Sequence, residues 1–197
     1  MFPLPFTWPL AIVFWVACLW AFAAELRFLR QSREDGVHPA LQDAGSRRMI
    51  GLAGAAGLCG AFVAGGLIRS ASFASMRLPV YITGVVAIVA GGLLRRHCFA
   101  MLGPRFTPSV KAAPDQAVVE RGAYKYVRHP SYAAGLLLYG GIGLSLGNWV
   151  SLVLAVTPLA LAYCYRIAVE ERALLQTVGA PYADYMKRTR RLIPFVL

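Results

Sequence analysis

The chain has 197 residues, of which 58% are hydrophobic and 15% charged, with a formal net charge of +11. Soluble domains carry about 45–50% apolar and about 25% charged residues; here the apolar residues gather in long runs, which excludes an ordinary soluble core. The basic excess sits in the loops between those runs, without a basic face interleaved with exposed aromatics, so it reads as membrane topology and not as a nucleic-acid surface.

A helix needs about 20 apolar residues to cross the hydrocarbon core of a bilayer. In chain order, candidate spans run from about Pro9 to Ala24, Met49 to Ile68, Leu78 to Leu94, Ser131 to Leu146 and Trp149 to Ile167. The first lacks a basic segment ahead of it and reads as a retained helix, not a cleaved signal. The last two are joined by the turn pair Gly147-Asn148 and form a tight helical hairpin, of which the first arm is short. The expected fold is an all-α integral membrane protein of about five transmembrane helices. It divides into a three-helix N-terminal region, 1–94, and a region carrying the chemistry, 95–197, within one domain overall.

Two segments are not lipid-like. Arg95 to Pro130 holds Pro104, Pro108, Pro114 and the β-branched pair Val118-Val119; Glu170 to Leu197 reads as an amphipathic helix and tail. Together they are expected to cap the helix ends on one side of the membrane. Of the basic residues, Arg69 and Arg77 alone fall between the second and third spans. The positive-inside rule then sets the N-terminus outside and the C-terminus in the cytoplasm.

Glycine is frequent inside the spans, including Gly51, Gly54, Gly57, Gly84, Gly91 and Gly141. In lipid, small residues let helices approach closely, so these positions predict interhelical contacts. The run Gly141-Ile142-Gly143-Leu144-Ser145-Leu146-Gly147 looks superficially like a nucleotide-binding loop, but it lacks the preceding strand and βαβ context. Cys18, Cys59, Cys98 and Cys164 lie far apart, without CxxC or Cys/His zinc spacing. They read as small buried hydrophobes, and no metal is expected.

Chemistry-bearing residues concentrate in the last third of the chain. Arg128-His129-Pro130-Ser131-Tyr132 opens the fourth span, with Pro130 suited to a first helical turn. The amides of that turn favour an anionic group such as a carboxylate. At the end of the fifth span, Arg166 and Glu170 are four apart and share a helix face, beside Glu171. An ordinary ion pair at headgroup level and a hydrated site both fit that spacing. The basic-aromatic stretch Tyr182 to Arg191 on its own reads as an interfacial anchor.

Taken together these residues resemble the isoprenylcysteine carboxyl methyltransferase family and its phospholipid-methyltransferase relatives. The resemblance covers roughly Arg95 to Pro194. It is carried by Leu102-Gly103, Phe106-Thr107, Val118-Val119-Glu120-Arg121-Gly122-Ala123-Tyr124, Arg128-His129-Pro130-Ser131-Tyr132, Arg166, Glu170-Glu171-Arg172, Gly179, Tyr182, Tyr185, Arg188 and Leu192-Ile193-Pro194.

The resemblance implies a membrane enzyme that uses S-adenosylmethionine, leaves S-adenosylhomocysteine and methylates a lipophilic acceptor, by carboxyl O-methylation. It implies cofactor contacts at Gln116, Ala117, Val118, Val119, Tyr124, His129, Pro130, Ser131, Tyr132 and Glu170, with Arg166 meeting the acceptor. Gln116 departs from the family, which commonly has His there; glutamine can still donate or accept a hydrogen bond. The partners implied are a small lipophilic or prenylated acceptor and membrane lipid. Phospholipid or small-molecule N-methylation is the alternative within the class. An NADPH-dependent sterol-type reductase would need a longer chain and a second nucleotide motif. A transporter would commonly show internal repeats.

Overall fold

The structure, a computed structural model, describes residues 3–34, 45–102 and 118–192. Six α-helices follow in order: α1 Leu10–Glu34, α2 Ser46–Leu67, α3 Arg77–Leu102, α4 Pro130–Ser145, α5 Trp149–Thr177 and α6 Ala180–Arg188. No strand occurs among the described residues; two isolated bridges pair Ser72 with Asn148 and Val127 with Arg190.

Three helical stretches, Ser46–Leu67, Ala74–Leu102 and Trp149–Thr177, are long and apolar enough to cross a membrane. The apolar part of α1, Leu10–Ala23, is shorter. So is α4, whose 16 residues rise about 24 Å at the α-helical pitch. Large side chains such as Leu19, Leu52, Val86 and Leu161 are exposed on the outer helix faces, a surface matched to lipid and not to water. Inside, Phe14, Ala61, Ile88, Leu138, Ile142 and Ala155 form the buried core.

The expected hairpin is present. α4 and α5 are joined at Gly147, whose φ of +69° favours glycine, and Asn148. Asn148 caps α5 by accepting from the Val150 and Ser151 amides at 2.8 and 3.2 Å, and its amide donates to the Ile68 carbonyl at 2.6 Å. One buried side chain therefore closes the start of α5 and the end of α2 together.

Glycine positions bring helices into backbone contact, as expected, at most sites. A Cβ on Gly84 would meet the Gly141 carbonyl at 2.6 Å, and one on Gly91 the Ala134 carbonyl at 2.8 Å, so α3 lies directly along α4. Gly57 makes the same kind of approach between α2 and α5. Gly51 does not; nothing lies within 4 Å of its Cβ position.

Two expectations are corrected. α5 does not end at Ile167 with a separate helix from Glu170; it runs unbroken to Thr177, and the amphipathic helix is the short α6. Cys18 and Cys98 are buried, but Cys59 and Cys164 are exposed on the outer faces of α2 and α5, where lipid accepts a thiol as readily as a core does.

Candidate active site

The polar end of the bundle gathers the starts of α2 and α4 with the ends of α3 and α5. Pro130 occupies the first turn of α4, with His129 as the residue before it and no side chain capping the turn. Arg95 of α3 steadies this turn by donating to the Ser131 carbonyl at 2.9 Å.

Tyr132, in the first turn of α4, lies between the His129 ring at 5.5 Å and the Tyr163 ring at 4.6 Å, both stacked. Its hydroxyl donates to Glu170 Oε2 at 2.7 Å and accepts from Arg166 Nε at 3.2 Å. Arg166 and Glu170, one helical turn apart, are 3.8 Å from each other. Arg166 is 4% exposed, and its Nη1 donates to Ser46 Oγ at 2.8 Å. The Glu170 side chain keeps 29% exposure, so this carboxylate faces out from a buried cation.

Glu171 points elsewhere. It accepts from Arg128 Nε at 2.9 Å and from Arg191 Nη2 at 2.9 Å. Arg128 also donates to the Met186 and Thr189 carbonyls. The backbone follows: Arg128 and His129 amides donate to the Arg190 and Arg191 carbonyls at 2.7 and 3.0 Å. The tail after α6 is thus strapped to the chain that enters α4. His129 Nε2 is buried 3.4 Å from Glu171 Oε1, without a hydrogen-bond partner among the described residues.

Tyr124 sits in a 3-10 turn, Gly122–Lys125, ahead of α4. Its hydroxyl lies against the Ser131 and Cys98 side chains, and burial pushes its pKa well up, with Cys98 and Glu170 adding to the shift. Tyr185 of α6 donates to the Tyr124 carbonyl at 2.6 Å, and burial raises its pKa to about 12. Both phenols therefore stay neutral at physiological pH and serve as hydrogen-bonding groups.

Of the residues singled out in the sequence, His129, Pro130, Ser131, Tyr132, Arg166 and Glu170 come together, with Tyr124 joined through Ser131. Val118 and Val119 are half-buried in irregular chain leading to the 3-10 turn, outside this network among the described residues. Gln116 and Ala117 lie outside the described residues. Tyr163 and Ser46 were not singled out. Tyr163 was findable, because Tyr163, Arg166 and Glu170 fall on one helical face. Ser46 offered no comparable sign.

A cavity of about 190 Å3 lies at the opposite end of the bundle, between Leu4, Arg69, Arg77 and Asn148. None of Tyr132, Arg166 and Glu170 lines it.

Residues 82–176 match the sequence model of the isoprenylcysteine carboxyl methyltransferase (ICMT) family. This stretch is similar to the ICMT family. It runs from α3 through most of α5 and contains Tyr124, His129, Tyr132, Arg166 and Glu170, while Ser46 and the strapped tail fall outside it.

The chain is 30% identical to protein-S-isoprenylcysteine O-methyltransferase B of Arabidopsis thaliana over 115 residues, 57% of this chain and 58% of that protein. It is 33% identical to the protein-S-isoprenylcysteine O-methyltransferase of Schizosaccharomyces pombe over 120 residues, 59% and 51% of the respective lengths. The chain thus spans little more than half the length of these curated relatives. A solved structure of a eukaryotic intramembrane Ras methyltransferase, ICMT, shares the fold with a TM-score of 0.57 at 23% identity, covering 74% of this chain and 52% of the other. The ICMT fold and the three long apolar helices make this an integral membrane protein.

Proposed function

We propose that the protein is an S-adenosylmethionine-dependent methyltransferase acting at the membrane on a lipophilic acceptor, by carboxyl O-methylation of a prenylated cysteine or a similar small molecule. The observation that carries this reading is Arg166: a guanidinium 4% exposed within the long helix α5, hydrogen-bonded to Ser46 and Tyr132 beside Glu170. Such a fork suits a carboxylate bidentately.

The residues present fit the methyl donor. The uncapped first turn of α4 and the unpartnered His129 Nε2 suit an anionic or hydrogen-bonding group. Glu170 suits hydroxyls or an ammonium. His129, Pro130, Ser131, Tyr132, Tyr124 and Glu170 would hold it, with Gln116 to Val119 contributing from the preceding segment. S-adenosylmethionine supplies, when bound, an electrophilic methyl group on a sulfonium. A carboxylate acceptor is already ionised at neutral pH, so the chain has no proton to remove. Its residues instead orient the acceptor through Arg166 and exclude water, effects that together can supply about 7–11 kcal/mol of a barrier.

In this reading α1 and α4 join the three longer helices as spans, five in all, with the N-terminus outside and the site on the cytoplasmic side. Residues 1–94 form the scaffold, and 95–197 carry the catalytic region. The acceptor enters from lipid and the polar donor from the cytosol.

Titration of the detergent-solubilised protein with S-adenosylhomocysteine in a calorimeter is expected to show saturable binding; well-folded protein that binds none refutes the proposal. Arg166→Ala is expected to raise the acceptor KM by about tenfold or more, with S-adenosylhomocysteine affinity retained. The partly exposed carboxylate of Glu170 supports a second reading, methylation of a phospholipid amine whose proton it accepts. Mass spectrometry of lipid extracts after incubation with labelled donor separates the two.

A further inference from the structure

The cavity of about 190 Å3 at the end of the bundle away from Arg166 is built from three separate stretches of chain. Leu4 comes from the N-terminal segment, Ile68, Arg69, Ser72 and Arg77 from the end of α2 and its connection to α3, and Asn148 from the α4–α5 turn. One water needs about 10–15 Å3 of such space, so the cavity has room for a polyatomic group. Its chemistry is mixed: Leu4 and Ile68 supply apolar wall, and two arginines line the same space.

Those two cations have no acidic neighbour in sequence. The chain carries no Asp or Glu from residue 1 to 24, 44 to 114 or 121 to 169, and every residue lining the cavity falls in those intervals. Arg77 moreover opens α3, whose first turn holds no acidic residue, although the dipole at a helix N-terminus disfavours a cation. A bound anion offsets both costs. The level of the site in the membrane indicates which anion. Trp8 and Trp149 are exposed at this end, and tryptophan collects at the headgroup level of a bilayer. Leu67 and Met76, each next to a cavity-lining residue in sequence, are exposed as acyl-chain contacts would be. We propose that this cavity binds the phosphate head group of an anionic phospholipid, in the leaflet opposite the candidate active site. Binding there needs positive charge at the cavity wall, not an unengaged fork on either arginine. The bound head group ties the N-terminal segment, the α2–α3 connection and the α4–α5 turn together, and the site is independent of the methyltransferase reading.

The test is titration of the full-length protein in dodecyl maltoside with fluorescent phosphatidylglycerol, with the melting temperature as the check on folding. Saturable binding is expected, with phosphatidylcholine, which has no net charge, competing about tenfold less well. The double substitution Arg69→Gln and Arg77→Gln should weaken binding about 10- to 100-fold. Ala74→Trp, which keeps both charges and fills the cavity from one wall, should weaken it as well. Lys187→Gln removes an exposed charge at the other end of the bundle and should bind as wild type does. Absence of saturable binding, or wild-type affinity in either cavity variant once folded, overturns the assignment. So does an equal loss in Lys187→Gln, which marks diffuse attraction to a basic surface. Displacement of the lipid by inorganic phosphate at matched concentration also overturns it, by giving the cavity to a free anion.

Discussion

Tyr132 touches four site residues at once: it stacks on His129 and Tyr163 and bridges Arg166 to Glu170 through one hydroxyl. Replacing it with Phe keeps the stack and removes the bridge. The buried Arg166 Nε then loses a partner, which costs about 1–3 kcal/mol. Tyr132→Phe is accordingly expected to lower the melting temperature by a few degrees and kcat/KM by about 10- to 100-fold, the latter read from initial rates with labelled donor. Wild-type rates in that variant would detach the hydroxyl from the chemistry. At this scale the sequence was informative where partners are close along the chain. The four-residue spacing of Arg166 and Glu170, and Pro130 at a helix start, are local patterns. The division of labour between Glu170 and Glu171 was not legible, because neighbouring helical residues point about 100° apart and only packing says what each one meets. Nor was Ser46, a serine at a helix start whose partner lies across the bundle.

Among the elements, α5 shows why an apolar run is a poor ruler for a helix. Hydropathy reports the surrounding solvent, not the backbone, and the polar stretch after Ile167 contains good helix formers. The helix stops where Gly179 takes a φ of +72°. Arg166 and Glu170 consequently sit on one continuous rod, which fixes their separation. Contacts between helices are tested by glycine pairs. Gly84→Ala would press a methyl to 2.6 Å from the Gly141 carbonyl and is expected to destabilise by about 1–3 kcal/mol. Gly51→Ala, with nothing within 4 Å, is expected to be neutral or to stabilise by up to about 1 kcal/mol. Thermal unfolding of both in detergent checks the contrast; equal melting temperatures would deny the α3–α4 approach. The sequence marked both glycines alike, since composition cannot say which face of a helix meets a neighbour.

For the whole molecule, a helix at each of five apolar runs and a hairpin at Gly147-Asn148 were legible, and three of those helices are long and apolar enough to cross a membrane. The pairing of α2 with α5 and α3 with α4 was not, since it depends on shape. Polar chemistry gathers at one end of the bundle, and the basic residues largely follow it. A reporter at the C-terminus should therefore be cytoplasmic and one at the N-terminus external; the reverse result would turn the site to the other side of the membrane.

The strap between the tail and the entrance to α4 has a consequence for biosynthesis. Arg128 reaches Thr189, 61 positions later, so the threshold of α4 cannot be completed while that helix is leaving the ribosome. A nascent chain cut short before Thr189 could insert its helices into the bilayer and yet leave Glu171 and His129 without their covering segment. Closing the strap therefore waits on translation through α6 and not on insertion of the helices alone.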